Sequence, residues 1–190
     1  MTVFRALPLA VLLAAAVAAP AAAAARIEIV NADFESGKPG NDGPHGWSTA
    51  QHTGPLSYDF ALDSGEKKSG TQSLRVTNIG PEPFGSLIQS IPATGLGGKK
   101  LRLTAWVKVS GIPEEGKRTG AVLSLTALRG SAVLASEAMR RRELRGSADW
   151  TRHSIELAIP PSAARIDFGA VLQGTGKMWV DDFTLETVEP

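Results

Sequence analysis

The chain has 190 residues, 43% of them hydrophobic, with a formal net charge of +1 and no cysteine. Neither a disulfide framework nor a cysteine-borne lipid anchor is open to it, and the balanced charge argues against nucleic acid as a partner. It is long enough to bury one sizeable core and must be held by that core alone.

Arg5 precedes an almost uncharged apolar run at residues 6–18, followed by Pro20 and an alanine tract at residues 21–25. A short apolar stretch with small-x-small sites behind it is the pattern of a bacterial-type secretory signal, cleaved after Ala23 or Ala25. The run falls short of the roughly 20 apolar residues that cross a bilayer, so no membrane span is expected. The expectation is a signal peptide over residues 1–25 and one exported domain over residues 26–190, secreted or periplasmic.

Along that domain, residues 27–30 make a short apolar start. Gly, Pro, Asn and Asp dominate between residues 31 and 54, which is loop composition. Tyr58, Phe60 and Leu62 alternate with Asp59, Ala61 and Asp63. After turns at Ser64-Gly65 and Gly70, Leu74 and Val76 alternate with Ser73, Arg75 and Thr77. Residues 85–91 form another short strand that stops at Pro92. In residues 101–109, Leu101, Leu103, Ala105, Val107 and Val109 take one face, and Arg102, Thr104, Trp106 and Lys108 take the other. A helix would mix the two sets, so the period decides for a strand.

Ala121, Leu123, Leu125 and Ala127 repeat the pattern, and Gly130-Ser131 turns into residues 132–137. Residues 137–144 alone read as a helical turn. Asp149-Trp150 opens a strand with Ile155, Leu157 and Ile159 on one face, and Pro160-Pro161 stops it. Ile166 and Phe168 lie in the next strand. Gly174-Thr175-Gly176 then turns into the last one, where Trp179 is expected to share a face with Phe183 and Leu185, and Asp181-Asp182 is a candidate cation site. Nine or ten short strands with turn signals about every ten residues predict an all-β, antiparallel two-sheet β-sandwich with no second domain.

With the strands placed, the chain resembles the jelly-roll carbohydrate-binding modules related to the cellulose- and xylan-binding modules of glycoside hydrolases. The landmarks are Asn31-x-Asp33-Phe34-Glu35, Gly46-Trp47, Gly70-x-x-Ser73-Leu74-x-Val76, Gln89-x-Ile91 and Leu103-Thr104-Ala105-Trp106-Val107. Gly146-x-x-Asp149-Trp150 and Gly174-x-Gly176-x-x-Trp179-x-Asp181-Asp182 complete the set. The resemblance implies a jelly roll that binds glycan or polysaccharide on a concave face or at loop tips, often with a buried structural calcium. By the same resemblance, the calcium ligands would be Glu35 with Asp181 or Asp182, carbonyls from residues 63–68, and Asp33 and Glu66 in addition. Hard calcium takes six to eight oxygens, and carboxylates gathered from both ends of a chain repel one another without a cation.

For a sugar, Trp106 is the leading candidate, because it shares its face with Arg102, Thr104 and Lys108 rather than with the apolar set. Arg102 and Lys108 are therefore ligand candidates with it. Trp47, Trp150 and Trp179 match positions that are usually structural, and Tyr58, the single tyrosine, reads as a core or edge residue. The basic run at residues 140–145 reads as a solvated loop. Its Arg141-Arg142-Glu143-Leu144-Arg145 is nevertheless similar to a strand of jelly-roll alginate lyases, which implies Arg142 as a further ligand residue.

The other elements of those lyases are missing, as are a Gly-x-Ser-x-Gly elbow, a His-Glu-x-x-His motif and a phosphate-cradling loop. His45, His52 and His153 are dispersed. No catalysis is expected. Two readings stand: a monomeric, exported glycan-binding module, or a cell-envelope or protein-interaction accessory domain that keeps the fold and binds no sugar. Trp106 open in a groove would favour the first, and Trp106 covered by a loop the second.

Overall fold

The computed structural model describes residues 24–38, 43–51 and 54–188. The greater part of the expected signal peptide over residues 1–25, and His52, lie outside the described residues. Eleven strands form among those described: β1 (Arg26–Ile27), β2 (Ser48–Gln51), β3 (Tyr58–Asp63), β4 (Ser73–Asn78), β5 (Phe84–Pro92) and β6 (Lys100–Ile112). They continue with β7 (Gly120–Arg129), β8 (Ala132–Glu137), β9 (Gly146–Ala158), β10 (Arg165–Gln173) and β11 (Lys177–Val188).

One sheet has the order β3-β4-β11-β6-β9, with β1 also against β11, and the other has β2-β5-β10-β7-β8. Every named pairing is antiparallel. The last strand thus lies inside the first sheet, between β4 and β6, and the sandwich is the expected all-β jelly roll.

Period-two burial builds the core between the sheets. Leu101, Leu103, Ala105 and Val107 of β6 face Leu123 and Leu125 of β7 and Ile166, Phe168, Ala170 and Leu172 of β10, all at most 2% exposed. Each buried Leu, Ile or Phe contributes about 1.5–3 kcal/mol relative to exposure. At one end an aromatic cluster closes the sandwich: Trp47 stacks at 4.9 Å from Phe183 and 5.4 Å from Phe34, and meets Phe168 edge-on at 5.9 Å. Asn31 organises this end. Its carbonyl accepts from Trp47 Nε1 at 3.0 Å, and its side-chain amide donates to the carbonyls of Ser36 and His45. Gly46 serves here because φ is +82° and an added Cβ would run into Val30.

Three local expectations give way. Residues 48–51, expected as loop, form edge strand β2. Ser48, Thr49 and Ala50 are exposed and not alternately apolar, so the strand carries no periodic signal. Residues 138–145 hold no helix; positive φ at Met139 and Arg141 breaks the turn, and Leu144 makes one bridge to Ala121. Trp179 is not on the face of Phe183. Between Asp181 and Thr184 the register of β11 against β6 shifts, with Asp182 at φ +51°. This bulge reverses the parity of everything after it.

Candidate functional site

The outer face of the first sheet carries the polar side chains of β6, and the register aligns them with β9 and β11 in three rows. Glu156, Arg102 and Glu186 make one row, Ser154, Thr104 and Thr184 the next, and Arg152, Trp106 and Asp181 the third. Arg102 is clamped in its row: its guanidinium reaches Glu156 Oε1 at 2.7 Å and Glu186 Oε1 at 3.2 Å, while Lys100 Nζ meets Glu156 Oε2 at 3.2 Å. Hydrogen bonds from Arg102 and Lys100 hold the Glu156 carboxyl below the usual glutamate range. Arg102, Thr104, Arg152, His153, Ser154, Glu156 and Glu186 line a groove of about 380 Å³. Thr104 is its buried floor, and Arg152, Ser154 and Glu156 are its exposed rim.

Residues 64–70 lie beside this groove, folded over the same face. Lys68 Nζ stands 4.0 Å above the centre of the Trp106 ring, a cation–π contact that covers the indole. Glu66 Oε2 binds Lys108 Nζ at 2.9 Å, and Asp149 Oδ1 takes the same ammonium at 3.4 Å. Trp106 and Lys108 are therefore engaged by the protein itself, and Arg102 is the sequence-derived candidate that lines the groove. Arg142 stands apart on the loop after β8, where its guanidinium pairs with Glu137 at 2.9 Å. Arg152, Ser154, Glu156 and Glu186 escaped sequence reasoning, because only the cross-strand register brings them to Arg102.

His153 borders the groove only by its place on β9: it stands opposite buried Ala105 on the face of Ile155, with Nε2 at 2.7 Å from the hydroxyl of Thr151. Burial, reinforced by Arg142, lowers its pKa and keeps the ring neutral.

The acidic residues expected at a cation site meet along residues 68–72. Asp181, fully buried, accepts at Oδ2 from the N–H groups of Lys68 (2.9 Å) and Ser69 (3.2 Å), and at Oδ1 from the N–H of Asp182 (2.8 Å). Glu35 accepts from the N–H of Thr71 at 2.8 Å, from its hydroxyl at 2.5 Å, and from the N–H of Gln72 at 3.2 Å. Ser69 Oγ donates to Asp182 Oδ1 at 2.9 Å, and Asp33 Oδ1 accepts from the N–H of Glu35 at 3.3 Å.

In this arrangement Asp181 and Glu35 are met by backbone N–H donors. Among the described residues no group of three or more His, Cys, Asp or Glu stands together as metal ligands, and the N–H donors meet Asp181 at both oxygens. The first and last segments are joined all the same, with the 68–72 run donating to both Glu35 and Asp181.

No known family profile matches the chain. Over 140 residues it is 28% identical to an uncharacterised HTH-type transcriptional regulator, YbfP, of Bacillus subtilis (strain 168). The match takes in 71% of this chain but 45% of the regulator, so the chain spans less than half the length of that relative.

Among solved structures, a Stig cyclase from Fischerella sp. TAU matches with a TM-score of 0.65 at 18% identity, covering 88% of this chain and 99% of the cyclase. The CBM22-1 xylan-binding domain of Paenibacillus barcinonensis Xyn10C matches with a TM-score of 0.55 at 12% identity, covering 83% and 92%. TmCBM61, solved with β-1,4-galactotriose, matches at 0.52 and 18% identity, covering 82% and 94%. At such identities the likeness speaks for the fold alone, a two-sheet jelly roll that the cyclase and the carbohydrate-binding modules share.

Proposed function

We propose that the chain is a non-catalytic glycan-binding module whose site is the groove above Thr104. The observation that carries this reading is the groove's composition: hydroxyls of Thr104 and Ser154 flanked by the fixed charges of Arg102, Glu156 and Glu186. Sugar hydroxyls both donate and accept, and a floor of hydroxyls between carboxylates and guanidinium groups meets them in both senses. The likeness to a xylan-binding domain and to a galactotriose-bound module supports it. The proposal extends to an exported, monomeric protein that binds no nucleic acid.

The capped Trp106 favours the second reading, an accessory domain without sugar binding, because it withdraws the ring on which a sugar would stack. Affinity electrophoresis against xylan, galactan and a polyuronate separates the two. Retardation by at least one polymer, with a loss of about tenfold in affinity in Arg102→Ala and unchanged far-UV circular dichroism, is the expected result. Unaltered mobility on every polymer leaves the accessory reading.

A further inference from the structure

We infer that the glycan is anionic, its carboxylate or sulfate group received by Arg152. This inference rests on the glycan-binding reading and names the class of ligand for the same groove. Arg75, Lys100, Arg102 and Lys108, on the same sheet, each meet at least one carboxylate. Arg152 lines the groove, is exposed, and forms no hydrogen bond or ion pair among the described residues. It stands one row beyond the Ser154–Thr104 hydroxyls, on the side away from the Glu156–Arg102–Glu186 clamp.

The groove is thus two-ended. At one end the charges are neutralised within the protein, at the other a guanidinium waits without a counter-charge, and hydroxyls lie between. A planar guanidinium fork matches a carboxylate or a sulfate ester by two parallel hydrogen bonds, and a neutral sugar has nothing equivalent to offer it. With the Lys68 ammonium standing over the Trp106 ring opposite it, discrimination falls to this charge.

The test measures affinity for polygalacturonate (carboxylate), dextran sulfate (sulfate ester), xylan and galactan (both neutral), on the wild type, on Arg152→Gln, and on Arg129→Gln. Arg129 is an exposed arginine at the end of β7 in the other sheet, so its variant makes the same change in net charge away from the groove. The expected result is that one of the two polyanions binds about tenfold more tightly than the neutral polymers, and which one identifies the anionic group. Arg152→Gln should abolish that preference, while Arg129→Gln keeps it. Equal affinity for charged and neutral polymers overturns the inference and spares the glycan reading. So does a preference that survives Arg152→Gln or falls equally in Arg129→Gln. Binding to none of the four polymers overturns both.

Discussion

Asp181 is a buried carboxyl whose ionisation the fold opposes. Burial pushes its pKa up to about 6, and a neighbouring Asp182 adds to the effect, although the N–H groups of Ser69, Lys68 and Asp182 pull the other way. A carboxyl whose folded pKa lies above its ordinary 3.8 binds its proton more tightly when folded. Its stabilising contribution is therefore complete below that ordinary value and disappears as pH rises through about 6. Glu35 and Glu156 behave in the opposite sense. Hydrogen bonds from Thr71 hold the first below its ordinary 4.5, and Arg102 does the same for the second, so their contributions vanish as acid protonates them. The melting temperature should accordingly be highest near pH 4, fall toward more acid pH, and fall again between about pH 4 and 6 before levelling off, and Asp181→Asn should flatten the fall between pH 4 and 6. Calorimetry from pH 3 to 8 checks this; a wild-type melting temperature that climbs steadily from pH 5 to 8 would contradict the assignment.

At the scale of elements, strand β6 shows what could be read in advance. Its strict alternation assigned Arg102, Thr104, Trp106 and Lys108 to one face, and the structure keeps them there, because no bulge interrupts its pairing with β9 across residues 102–107 or with β11 across residues 106–108. The partners of that face were not legible. Glu156, Ser154 and Arg152 come from β9 and Glu186 from β11, and register between strands far apart in sequence leaves no trace in local composition.

A single bulge at Asp182 was enough to defeat the parity expected for Trp179, which donates instead from Nε1 to Asp63 Oδ2 at 2.9 Å. The covering loop was equally hidden, since residues 64–70 carry turn chemistry that says nothing about which face they close. Within that loop, Gly70 at φ +58° lies where an added Cβ would strike the Glu35 carboxylate, so the seam and the turn depend on each other. If the N–H donors already satisfy Glu35 and Asp181, a millimolar excess of calcium or of a chelator should each move the melting temperature by less than about 1 °C. A chelator-reversible rise of several degrees, worth about 1 kcal/mol or more, would instead show a cation displacing those donors.

The whole molecule was legible as architecture before it was legible as a site. Alternation, turn spacing and the ordered landmarks suffice for two stacked sheets, because burying one face of every strand is what the pattern encodes. The groove, by contrast, is made by three strands that the jelly-roll crossover brings together. The two expected cleavage sites differ in what they leave at the edge of β1. Ala25 accepts at its carbonyl from the N–H of Thr187 at 2.9 Å and donates its own N–H to Thr187 Oγ1 at 3.2 Å. Cleavage after Ala25 would strip this pairing from the edge of β1, whereas cleavage after Ala23 keeps it. N-terminal sequencing of exported protein should therefore find Ala24 first; a sequence beginning at Arg26 would count against the pairing having any weight.

The partnership of β1 with β11, Arg26 beside Glu186, has a further consequence. Hydrogen-bonded antiparallel neighbours lie about 5 Å apart, so the polypeptide enters and leaves the sandwich through one doorway. A larger host can take up such a body within a surface loop without prising its own backbone apart, and wear it as a pendant. Because Glu186 belongs both to that doorway and to the groove, the tether would hang beside the groove.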